Sequence, residues 1–233
     1  MTTYVALLRG INVGKAKRVA MADLRALVEA ASPEYRPVTR ARALTLCAAG
    51  LSALAALAGD AEARVKANEM FDAAADAFTP DHSPLDWAAI ELARALRNST
   101  PDLDRMLEIE AVTAGEGLIL GALARERRLA LEAAQAERET DAAQLARMET
   151  RLRRRLAHGN AENAPLDWAA DQIGLSHVRL ARARVTGQED ISHLGLILTE
   201  AAETARELGA GLIVDRAREL LASLKQASPS RPA

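Results

Sequence analysis

The densest group of side chains able to do chemistry is a run of arginines at Arg151, Arg153, Arg154 and Arg155. Arg147 stands one helical turn before it, and Arg125, Arg127, Arg128 and Arg138 lie further upstream. A guanidinium pairs with carboxylate or phosphate through a fixed fork of donors. At helical spacing, Leu145, Met148, Leu152 and Leu156 point inward while the arginines fan outward. Glu137, Glu139, Asp141 and Glu149 partly offset their charge. Two readings follow. One is a solvated helix face whose cations suit the negative end of the helix. The other is a patch for an anionic partner, formed by Arg147, Arg151, Arg154 and Arg155. No aromatics lie nearby to stack bases, which argues against single-stranded nucleic acid.

Other chemical groups carry less. Gly10-Ile11-Asn12-Val13-Gly14-Lys15-Ala16 has the look of a phosphate loop. That loop needs four residues between its glycines and a Ser or Thr after the Lys, whereas here there are three and Ala16. His177 and His193 fall in predicted helices without an acidic or thiol companion at helical spacing, so no metal site is expected. His82 and His158 precede two proline-led segments and are expected in loops. Cys47 sits in an apolar helical stretch and reads as a small buried residue. There is no Ser-His-Asp order and no paired-carboxylate motif, so neither catalysis nor a cofactor is expected.

The elements that must position these groups are helices. The chain has 233 residues, among them 52 alanines, 26 arginines and six aromatics. Alanine is the best helix former, and strand formers are scarce. The net charge of −2 excludes a global basic field, and one cysteine excludes an internal disulfide. The uncharged run from Ala43 to Gly59 has 17 residues, short of the roughly 20 that a membrane span needs. The run is expected to be a buried helix. Prolines and glycines cut the chain into predicted helices near 22–31, 40–58, 61–78, 84–98, 102–113, 117–138, 141–157, 165–185, 190–208 and 211–226.

An internal repeat stands out. Pro84-Leu85-Asp86-Trp87-Ala88-Ala89 recurs letter for letter as Pro165-Leu166-Asp167-Trp168-Ala169-Ala170. Pro suits the first turn of a helix, Asp suits the positive end of its dipole, and Trp packs a large apolar body against a neighbour. Both tryptophans are therefore expected in the core. Ala67, Phe71, Ala74 and Phe78 form a second stripe. Residues Ala67, Phe71 and Ala74 followed by Pro80 resemble the second helix and closing proline of a tetratricopeptide repeat. The Pro-Leu-Asp-Trp-Ala segments resemble the first helix of divergent bacterial repeats of that family. Gln172 and Leu175 fit that pattern, Ser176 replaces its usual Gly, and Glu91, Arg94 and Ala95 stand at those places in the earlier copy. The resemblance spans about residues 40–226 and implies stacked antiparallel helix pairs. In such repeats first helices line a groove, which would place Glu91, Arg94, Arg97, Gln172, Arg179 and Arg182 against a protein or peptide partner.

The N-terminus differs. Tyr4 to Gly14, followed by Met21-Ala22-Asp23-Leu24-Arg25-Ala26-Leu27, resembles the opening of domain-of-unknown-function family 1697. The resemblance implies a strand, a loop and a helix of an α/β domain, and it stops near residue 30. The motifs that follow in that family are absent, so the segment reads as a truncated domain. A lone strand has no ladder partner. Residues 4–13 must therefore pair across a dimer, pack as an arm or turn helical.

The expectation is an all-α protein with a short N-terminal arm or strand. Residues 1–38 form arm and linker, 39–227 a helical repeat domain, and 228–233 a frayed tail. The expected role is a non-catalytic, cytoplasmic interaction scaffold for a protein or peptide, with self-association into a homodimer open and no membrane or nucleic-acid partner. The alternatives are a sensory or regulatory domain holding a small ligand between helices, and binding of RNA or another anion on the Arg147–Arg155 face.

Overall fold

The computed structural model describes residues 26, 28–31, 36–95, 102–114, 118–159, 161–187, 191 and 193–227. Among the described residues there is no strand, and the fold is all-α. Residues 26 and 28–30 of the first expected helix are helical; the expected arm at 4–13 and tail at 228–233 lie outside the described residues. The chain divides into two compact units, residues 1–120 and 121–233.

The first unit holds α1 (Pro37–Ala58), α2 (Ala61–Ala75), α3 (Pro84–Ala95) and α4 (Leu103–Val112). Pro37 starts α1 because a first-turn residue needs no donor. Gly59 ends it in the left-handed region, at φ 69°, and donates its N–H to Ala55 O. Asp60 then caps α2 by accepting from the Ala63 N–H at 3.0 Å. With only Gly59 and Asp60 between them, α1 and α2 double back and pack along each other. Both also touch α3, and α3 packs on α4. Ala67, Phe71, Ala74 and Phe78 are all buried, as their spacing predicts. Phe78 is buried although α2 ends at Ala75, three residues short of the expected end, because the chain turns at Asp76 and Ala77.

The apolar run 43–59 belongs to a longer helix than expected. Because α1 begins at Pro37, it has 22 residues and is long and apolar enough, by length and composition, to cross a membrane. Of its most apolar stretch 39% is buried within the fold. Its cations are engaged inside the unit: Arg40 Nη1 donates to Val28 O at 2.7 Å, and Arg42 Nε to Asp86 Oδ1 at 3.0 Å. Cys47 is buried in this helix.

The second unit holds α5 (Leu118–Arg138, from residue 121), α6 (Ala142–His158), α7 (Pro165–Thr186), α8 (Leu194–Glu207) and α9 (Gly211–Ala227). Asp141 caps α6 by accepting from the Gln144 N–H at 2.8 Å. The turn before it holds Thr140 at φ 54°, a left-handed conformation that a β-branched residue rarely adopts. Leu145, Met148 and Leu152 of α6 enter one core with Leu129, Ala133 and Ala136 of α5 and Leu175, Val178 and Ala181 of α7; Leu156 and Val185 pack partly against it. Helix α5 packs against α7 at Gly174, where an added Cβ would lie 2.4 Å from Leu129 Cδ1 and 3.1 Å from its Cβ. Helix α7 also packs on α8 and α9, and α8 on α9. The start of α8 falls at Leu194 rather than near 190, so His193 stands at the cap and not inside the helix. His158 is the last residue of α6 rather than a loop residue, and its Nδ1 lies 2.7 Å from Arg154 O, closing the final turn.

Candidate functional site: an arginine-lined cleft

The α6 stripe that enters the core leaves its opposite face to solvent. Beside that face, the start of α7 closes an open cleft of about 900 Å³. It is lined from α6 by Arg147, Arg151, Arg154, Arg155 and His158, and from α7 by Asp167, Trp168 and Asp171. All four arginines of the expected anionic patch thus share one concavity. At a rise of about 1.5 Å per residue, Arg147 to Arg155 spans about 12 Å of helix.

The four are not equivalent. Arg155 Nε donates to Asp171 Oδ2 at 3.0 Å, which ties α6 to α7. Asp171 is buried, and its Oδ1 has no hydrogen-bond partner among the described residues. Burial pushes the Asp171 carboxyl above the usual range, against the pull of Arg155 and Arg125. Arg151 and Arg147 reach Glu132 and Asp141 only at 3.9 Å, and their side chains are 60% and 65% exposed. Exposed pairs of that length contribute little. Among the described residues Arg154, also exposed, meets no carboxylate. The second acid of the cleft, Asp167, is already held by Arg125 of α5 at 2.6 Å.

Trp168 corrects two expectations. It is half-buried and lines the cleft instead of lying in the core, and it supplies the aromatic neighbour that the arginines lack in sequence. Trp87, in contrast, is buried as expected, with the Arg105 guanidinium 5.5 Å from its ring centre. Nothing local distinguishes the two. Each backbone N–H donates to the carbonyl of the residue before the proline, Ser83 or Ala164, at 2.9 Å. The difference lies in what the neighbouring helices bring.

Four of the six residues expected to line a repeat groove, Glu91, Arg94, Arg179 and Arg182, are engaged in ion pairs with neighbouring helices. Glu91 is buried and takes Arg105 Nε at 3.2 Å and Arg94 Nη1 at 3.6 Å, while Arg94 also binds Asp72. Burial raises the Glu91 carboxyl above its ordinary range despite Arg105. Arg179 and Arg182 both grip buried Glu149 of α6, at 3.1 and 2.6 Å, and Arg153 joins them at 2.7 Å. Burial alone would raise the Glu149 pKa, but the hydrogen bonds from Arg179 and Arg182 outweigh it and hold the carboxyl low. Gln172 is half-buried, and Arg97 lies outside the described residues.

The carboxylates that bind the helices together escaped sequence reasoning. Glu126 of α5 is fully buried, with His177 Nε2 3.1 Å from one oxygen and Arg216 Nε 3.0 Å from the other. Burial opposes ionisation there, and His177 and Arg216 reverse it, so this carboxyl also lies below its usual range. His177 is therefore a partner of Glu126, while His193 Nε2 lies 2.6 Å from Arg179 Nη1. Among the described residues no three His, Cys, Asp or Glu side chains are placed to hold a metal ion. A Glu at an i, i+3 offset from a Leu stripe signals burial at its edge, and Glu149 beside Met148 and Leu152 is such a case.

Residues 1–34 match the model of a family described as "Protein of unknown function (DUF1697)". The matched stretch lies outside the described residues except at 26 and 28–31, and the phosphate-loop-like segment 10–16 falls within it. No curated protein and no solved structure matches the chain.

Proposed function

We propose that the chain is a non-catalytic, tetratricopeptide-like helical binding module that takes an anionic partner in the α6–α7 cleft. The single observation that carries this is the convergence of Arg147, Arg151 and Arg154 on one concavity without close carboxylate partners. Elsewhere the arginines of these helices neutralise glutamates and aspartates. Here both acids of the cleft are already paired, Asp171 with Arg155 and Asp167 with Arg125, so the remaining guanidiniums have charge to offer. The repeat character is supported by the packing of alternate helices, α1 on α3 and α7 on α9, as stacked pairs require. It is also supported by the recurring Pro-Leu-Asp-Trp-Ala-Ala start.

Titration calorimetry of the full chain with an octaglutamate peptide and with pyrophosphate tests this. Both are expected to bind, more weakly as salt rises. The double variant Arg151→Glu, Arg154→Glu is expected to abolish the heat while helical circular dichroism is unchanged. Binding that survives that charge reversal, or no binding by either anion at millimolar concentration, sinks the proposal.

A further inference from the structure

We infer that the occupant of the α6–α7 cleft is a nucleoside phosphate, its base against Trp168 and its phosphate on Arg151 and Arg154. This rests on the anion-binding role proposed above and narrows it by two features of the same cleft.

The first is size. About 900 Å³ lies within the range of roughly 300–1,000 Å³ typical of small-molecule sites. The second is the half-buried indole. An indole beside arginines offers a planar ligand a stacking face, and base–aromatic stacking is tolerant of base identity. The chain shows this chemistry on itself at Trp87, where a planar guanidinium covers the ring at 5.5 Å. Among the described residues Trp168 is the one indole lining the cleft, with the smaller ring of His158 beside it, which fits one base rather than a strand of several.

An acid and a flat ring in one small ligand describe a nucleoside phosphate.

The test uses the full chain with Trp87→Phe, which leaves Trp168 as the only tryptophan. AMP and GMP are titrated against its fluorescence, with ribose 5-phosphate, adenosine and octaglutamate as comparison ligands followed by calorimetry. AMP is expected to quench Trp168 and to bind about tenfold or more tightly than ribose 5-phosphate or adenosine, the worth of one stack or one phosphate contact. Trp168→Leu is expected to reduce AMP affinity by a similar factor and to leave ribose 5-phosphate no more weakly bound than AMP. Equal affinity for AMP and ribose 5-phosphate would overturn the inference, as would an RNA octamer that binds where AMP does not. If octaglutamate binds and AMP does not, the nucleotide falls while the anion-binding role stands. If no anion binds, both fall.

Discussion

The same six residues open α3 in the first unit and α7 in the second, and the two copies have different fates. In both, the aspartate is drawn to an arginine of another helix, Asp86 to Arg42 and Asp167 to Arg125. The tryptophans diverge. Trp87 is sealed beneath Arg105 of α4, whereas Trp168 faces a cleft whose arginines have no comparable duty. An identical local sequence fixes how the helix starts. Whether its indole becomes core or surface is decided by the next helix to arrive.

The buried glutamates repeat the contrast. Glu91 in the first unit is pushed above its ordinary range by burial, with Arg105 only partly compensating. Glu149 in the second is held below it by the hydrogen bonds of Arg179 and Arg182, against the opposing effect of burial. Both are buried acids on amphipathic helices. The number and geometry of the donors around them set the sign.

Truncating the two indoles gives the sharpest separation. Trp87→Ala is expected to destabilise the chain by about 3–5 kcal/mol, the usual cost of emptying a large core site. Trp168→Ala is expected to cost about 1 kcal/mol, since much of its surface is already wet. Urea unfolding of both variants measures this, and equal costs would erase the distinction between core and cleft.

The glutamates come next. Glu149→Gln leaves the partly buried Arg179 without its counter-charge and is expected to cost about 3 kcal/mol near neutral pH. Because the folded pKa of Glu149 is lowered, its contribution is complete above the unfolded value of about 4.3. That contribution disappears as pH falls through the folded value. Glu91→Gln has the opposite sign. An acid whose folded pKa is raised weakens the fold while ionised, so the variant is expected to be neutral or slightly stabilising at pH 7. Its advantage vanishes on acidification. Stability curves of both variants from pH 7 to pH 3 should therefore converge on the parent from opposite sides.

Smaller effects probe the second unit alone. Gly174→Ala gains helix propensity but drives a Cβ against Leu129, and the clash is expected to win by about 1–2 kcal/mol. Trimming the neighbour in Gly174→Ala, Leu129→Ala should recover part of that loss, which a double-mutant cycle would show. Thr140→Gly relieves the left-handed turn between α5 and α6 and is expected to add about 0.5 kcal/mol. A lower thermal midpoint would contradict that.

Much of this architecture was readable from residue order because helix signals are local. Pro84, Pro165, Gly59, Gly187 and the Leu145–Leu152 stripe place helix starts, ends and inner faces within a few residues. Four of the arginines that share the cleft were legible for the same reason, since they lie on one helix. The rest of the site was not. Trp168 and Asp171 reach those arginines only through the packing of α7 against α6, and no periodicity within either helix encodes that meeting. Two of the expected groove residues are already engaged for a related reason. Arg179 and Arg182 are polar on an amphipathic helix, and only the position of Glu149 reveals that another helix already claims them.

The aspartate-capped turns have a kinetic consequence. Gly59 and Asp60 separate α1 from α2, and residues 139–141 separate α5 from α6, so each pair can meet with almost no loop to close. Asp60 and Asp141 hold their first turns without help from distant residues. Hairpins of this kind form from contacts close in sequence, and chains dominated by such contacts fold on timescales of roughly microseconds to milliseconds. The two halves thus carry their own starting points, and refolding should report the birth of hairpins before the cleft between α6 and α7 exists.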